Sequence, residues 1–133
     1  MQQMTNKFKN ERGQTMTEFA FVVPILLVLL LGIVQFGIAF NNYVTLTDAV
    51  RAGARKAAVS RNNTDPESIC KTAIISAASN LKRADLEPSL YCRSDWQPGS
   101  EVEVHGDYGY SINLLGWTVY SGRLDSTTKE RVE

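Results

Sequence analysis

The sequence predicts an α+β protein: a long N-terminal transmembrane helix continuing into a small extracytoplasmic domain of helix and antiparallel sheet. Three observations predict it. Residues 19–40 form a run of 22 positions with no charged side chain. Apolar residues then recur at three- and four-residue steps in two further stretches, reaching about Arg83. From Glu101 the pattern changes to strict alternation, the signature of a half-buried strand.

The apolar run is of membrane length. At about 1.5 Å per residue it extends roughly 33 Å, against a hydrocarbon core of about 30 Å. Its centre, Ile25-Leu26-Leu27-Val28-Leu29-Leu30-Leu31, is apolar on every face, unlike an amphipathic soluble helix. A chain of 133 residues is too short to enclose such a helix completely. The expected organisation is a leader at residues 1–13, a transmembrane helix at 14–40 and an extracytoplasmic domain at 41–133. Lys7, Lys9 and Arg12 precede the helix, and residues 40–50 contain no Lys or Arg, which keeps the amino end cytoplasmic. Arg51, Arg55 and Lys56 blur that asymmetry.

Just before the apolar run stands Gly13-Gln14-Thr15-Met16-Thr17-Glu18. A secretory signal is cut after its apolar segment and loses it. A small-residue site placed before the segment would instead leave the helix on the mature chain. Glu18 has two readings. It could close a capping box with Thr15 and suit the positive end of the helix dipole. Alternatively, a carboxylate at the bilayer edge calls for a cationic partner, which a new N-terminal amine would supply.

The residues Gly-x-x-x-x-Glu, then Glu18-Phe19-Ala20-Phe21-Val22-Val23-Pro24, Leu30-Leu31-Gly32-Ile33-Val34-Gln35-Phe36-Gly37 and Ala49-Val50-Arg51-Ala52-Gly53-Ala54-Arg55 resemble the TadE-like family. These are pilin-like components of the tight-adherence (Flp-type) pilus assembly system. The resemblance covers about residues 11–60. It implies cleavage between Gly13 and Gln14 by a membrane prepilin peptidase, and pairing of Glu18 with the N-terminal amine of a neighbouring subunit. It also implies other pilin-like subunits and membrane components as partners, in the cell (inner) membrane or a pilus. The chain departs from the pattern at Gln35, where many relatives are acidic, and at Gln14, where conventional type IV pilins begin with Phe.

Pro24, about one turn into the membrane helix, removes a backbone hydrogen bond and is expected to kink it. Prolines near a helix start are also simply tolerated. Gln35 can bond a neighbouring helix or its own backbone carbonyls. Beyond the membrane the helix is expected to continue, with Tyr43, Leu46, Val50, Ala54 and Ala57 on one stripe. Ala49, Gly53 and Ala57 form a row of small residues that admits close approach, either by another subunit or by the chain's own domain.

A polar break at residues 60–65 leads to Asp65-Pro66, a cap followed by a favoured first helical residue. The second helix is expected to run to about Arg83. Leu90-Tyr91-Cys92, residues 101–108, residues 117–120 and residues 124–132 are candidate strands, and Trp96-Gln97-Pro98-Gly99 is a turn. Val102, Val104, Gly106 and Tyr108 should share the buried face. Cys70 and Cys92, the only cysteines, suit one bridge in an oxidising compartment; two unrelated buried thiols are the alternative.

Catalytic motifs are not found. There is one histidine, His105, no Gly-x-Ser-x-Gly, no phosphate loop and no metal-ligand spacing. No enzyme activity, cofactor, metal or small-molecule substrate is expected. Basic and acidic residues balance at 14 each, which gives no field for nucleic acid. The expected partners are the lipid bilayer, the peptidase and the pilus machine. The expected function is a minor pilin or pseudopilin. The alternatives are a single-pass anchor that never enters a filament, or an exported protein cut at Gly37-x-Ala39.

Overall fold

The computed structural model describes residues 4–114 and 116–133, with side chains from Gly13 onward. The leader side chains Lys7, Lys9 and Arg12 therefore lie outside the described residues. The first helix, α1, spans Met4–Ala58 without interruption, including Pro24. Its 55 residues reach about 80 Å at 1.5 Å per residue. It is the one described helix long and apolar enough to cross a membrane, and its apolar window is entirely unburied.

The C-terminal part of α1 changes character at Leu46. From there Leu46, Ala49, Val50, Ala54 and Ala57 are buried, while Arg51, Arg55 and Lys56 stay exposed. Tyr43, expected on the stripe, is exposed, because the domain's core begins one turn beyond it.

Helix α2, Pro66–Ala77, starts as the sequence dictates: the Asp65 carboxylate accepts from the Ser68 N–H at 3.1 Å, with Pro66 in the first turn. It ends six residues before the expected Arg83. Ala78 leaves helical geometry, and Ser79 and Asn80, both weak helix formers, follow in a turn. The turn swings Leu81 into the core before a short helix α3, Arg83–Leu86, and a 3₁₀ turn at Glu87–Ser89.

The sheet has three antiparallel strands in the order β1 (Tyr91–Arg93), β2 (Glu101–Leu114), β3 (Trp117–Arg131). Gln97-Pro98-Gly99-Ser100 makes the turn into β2. Pro98 sits where φ is preset, Gly99 has φ +86°, and the Ser100 N–H reaches the Gln97 carbonyl at 3.0 Å. Val102, Val104, Gly106 and Tyr108 are all buried, as the alternation predicts. The two candidate strands at 117–120 and 124–132 are one continuous strand, since Gly122 pairs with Tyr110 instead of breaking the ladder. Likewise β2 runs six residues past Tyr108.

One core joins these layers: Leu46, Val50 and Ala54 of α1, Cys70 and Ile74 of α2, then Leu86, Leu90, Val102, Val104 and Val132. The disulfide Cys70–Cys92 ties α2 to β1 inside it, as expected. The end of β3 closes the far end of α1. The Glu133 N–H donates to the Ala58 carbonyl at 3.0 Å, satisfying one of the free acceptors at the helix terminus.

Candidate functional site

The residues of the expected processing site lie on a bare helix. Gly13 is exposed, and a Cβ placed on it would meet nothing within 4 Å. The Thr17 hydroxyl donates to the Gly13 carbonyl at 2.9 Å, and the Gln14 amide donates to the Glu18 carboxylate at 3.2 Å. Gln14, the first residue of the expected mature chain, thus sits one helical turn from Glu18.

In the uncut chain α1 begins at Met4, so Thr15 and Glu18 both lie inside it, and a capping box between them would need the helix start that a cut after Gly13 creates.

Pro24 leaves the Ala20 carbonyl without its backbone donor, yet the helix passes through. Within the chain, Gln35 reaches past its own turn. Its amide donates to the Asn113 carbonyl at 3.1 Å, 78 residues away, at the far end of β2. The same alternation that placed Val102 to Tyr108 continues through Tyr110, Ile112 and Leu114, and would have shown that β2 reaches back along α1. The Ala49-Gly53-Ala57 row is covered by the chain itself. A Cβ on Gly53 would fall 2.3 Å from Ile74 Cγ1.

Between α1, α3 and the β2–β3 hairpin lies a cleft of about 640 Å³, bordered by Gln35, Asn42, Lys82, Asp85 and Tyr110. It is far in sequence from Gly13 and Glu18. Arg123, also on its border, donates to Asp107. Burial raises the Asp107 pKa, but hydrogen bonds with Arg123 and Ser89 outweigh it and hold the carboxyl below its usual value. The Glu103 carboxyl is held low by Lys129 at 3.1 Å and the Tyr91 hydroxyl at 3.2 Å. Among the described residues no group of three or more His, Cys, Asp or Glu side chains is placed to hold a metal ion.

What distinguishes the molecule is therefore a long exposed apolar helix carrying Gly13, Gln14 and Glu18, with a domain folded on its C-terminal end. Residues 13–55 match the family model described as TadE-like protein. The chain carries a TadE-like segment. That segment begins at Gly13 and ends within the buried part of α1, so it takes in the whole apolar run and, of the small-residue row, Ala49 and Gly53. No curated protein and no solved structure matches the chain. The TadE-like segment, on a helix able to cross a membrane once, points to a pilin-like protein associated with the tight-adherence pilus.

Proposed function

We propose that this chain is a minor pilin or pseudopilin of a tight-adherence pilus system, cut between Gly13 and Gln14 by a membrane prepilin peptidase. The observation that carries the reading is the TadE-like match starting at Gly13, on a helix that is unburied there. In this reading the amino end is cytoplasmic, residues 14–40 span the cell (inner) membrane and residues 41–133 lie outside it.

The chemistry follows from position. Cutting α1 at Gly13 would create a new helix start at Gln14, with a free amine and unsatisfied N–H groups. Glu18 would then lie in the first turns, where a carboxylate favours the helix dipole. Within one chain it already accepts from the Gln14 side chain. Beside a second subunit it can accept from that subunit's amine. Pro24, with one helical hydrogen bond already missing, is the weak point at which the helix can bend or open during transfer from bilayer to filament.

A second reading, a membrane anchor that binds pilus components without entering the fibre, is favoured by one observation. The small-residue row, the obvious seam for another helix, is occupied by α2 of the same chain. Shearing surface fibres from cells and probing fibre and membrane fractions separates the two. Peptidase-dependent recovery in the fibres supports the pilin, and complete retention in the membrane supports the anchor.

A further inference from the structure

We infer that the tip of the β2–β3 hairpin is a second membrane contact, seated in the interface of the outer leaflet beside the helix that spans it. This rests on the reading of α1 as membrane-spanning and adds a lipid-binding site on the domain itself.

The sequence of the hairpin is unusual for a solvent-exposed loop. From Tyr108 to Gly122 there is no charged residue, and the stretch contains Ile112, Leu114, Leu115, Trp117, Val119 and Tyr120. Three of these stand out in water: Trp117 is 82% exposed, Val119 62% and Tyr120 56%. Trp and Tyr beside aliphatic residues are the composition of membrane–water interfaces, where an amphipathic ring is apolar at one end and wet at the other.

Position supplies the second argument. The bond from Gln35 to the Asn113 carbonyl fixes the tip against α1 inside the apolar run, not above it. Counting about 30 Å of hydrocarbon from Phe19 at 1.5 Å per residue brings the outer boundary near Ile38. Gln35 lies about 4–5 Å below that level, within the roughly 5–10 Å depth at which interfacial segments bury their apolar faces. The exposed side chains of α1 around it, Val34, Phe36 and Ile38, are apolar, so the tip extends the same lipid-facing surface sideways.

Polar groups at the tip fit an interface and exclude a deeper position. Thr118 donates to the Asn113 side-chain oxygen at 2.7 Å, and the Asn113 amide to Ser111 at 3.2 Å, so these side chains are paired internally. The outer edge of β3 faces no fourth strand in the sheet, and an open edge is not sustained in hydrocarbon. The contact therefore stays in the shallow interfacial layer and does not reach the bilayer centre. Two points of attachment, the helix and the tip, would set the height of the domain over the bilayer and stop it swivelling about α1.

Tryptophan quenching by brominated lipids tests this in the full chain, reconstituted in phosphatidylethanolamine–phosphatidylglycerol vesicles. The chain has two tryptophans, Trp96 and Trp117. W96F reports Trp117 alone, W117F reports Trp96 alone, and L27W in a W96F/W117F background reports the helix. The expected result is that Trp117 loses intensity most to bromines near the headgroup end of the acyl chain. Leu27→Trp should lose most to bromines at the bilayer centre, and Trp96 should be unaffected. Quenching of the helix reporter without quenching of Trp117 overturns the second contact and leaves the anchor standing. If Trp117 is then still blue-shifted, a protein surface such as another copy covers it. An unquenched helix reporter overturns the spanning reading, and the tip contact with it.

Discussion

Ile74 of α2 occupies the space that a side chain on Gly53 of α1 would need, its Cγ1 lying 2.3 Å from the position of such a Cβ. The backbone carbonyl of Cys70 stands 3.4 Å from the same point. The helices are thus in contact through the absence of a side chain, at the place where the disulfide also holds α2.

Gly53→Ala should destabilise the domain even though alanine favours a helix. The propensity gain is about 1 kcal/mol, whereas overpacking typically costs about 1–3 kcal/mol. Because Ile74 is β-branched and fully buried, it has little room to move. The expected net loss is about 1 kcal/mol in denaturant unfolding of the detergent-solubilised protein, and Gly53→Ala should cost less in an Ile74→Ala background, where Cγ1 is gone. Two losses that simply add would show that Ile74 is not what the new methyl meets.

Removing the bridge should matter more. Cys70 and Cys92 are 22 residues apart in sequence, and closing a loop of that size contributes about 3 kcal/mol in the chain-entropy account. A C70A/C92A variant should unfold at clearly lower denaturant, and the wild type under reducing conditions should follow it. Coincident unfolding of oxidised and reduced wild type would contradict the role assigned to the bridge.

Asp107 gives the domain an acid limit. Its pKa is lowered on folding, so its contribution is fully present above the unfolded value of about 3.9 and is lost as pH falls through the lower folded value. Asp107→Asn should be less stable than wild type at neutral pH. The difference should shrink as pH drops below about 4, because the wild type then loses what the variant never had. Thermal midpoints across that range provide the check, and a gap independent of pH would remove Asp107 from the account.

Gly13 allows processing to be separated from folding. Since nothing lies within 4 Å of its Cβ position, Gly13→Leu should leave the helix, the domain and membrane insertion unchanged. Under the proposed function it should block the cut, so that cells accumulate a full-length, membrane-bound precursor on an immunoblot. Normal maturation of this variant would show that the peptidase does not read position 13.

The parts of this molecule legible in the sequence are those where one face is buried. The apolar run, the Leu46–Val50–Ala54–Ala57 stripe and the Val102–Tyr108 alternation each contrast sharply with their neighbours, and each lies where those residues predict. The capped start of α2 was legible because Asp65-Pro66 is local chemistry. The end of α2 was not, since Leu81 enters the core from a turn and imitates one more helical step. β3 seemed to be two strands because its first half is exposed and Gly122 interrupts the pattern, while its hydrogen bonds come from β2, far away in sequence. Gly13, Gln14 and Glu18 were found as a spacing, but the long helix around them was not. The link from Gln35 to Asn113 spans 78 residues and leaves no local trace.

The central claim is that the bare start of the TadE-like segment is a cleavage site, and the mature N-terminus tests it most directly. Intact-mass and N-terminal peptide measurement of membrane fractions, with and without the prepilin peptidase, should find a chain beginning at Gln14 only when the peptidase is present. A chain still carrying Met1 in both samples would contradict the claim, leaving an unprocessed anchor whose Glu18 pairs only with Gln14.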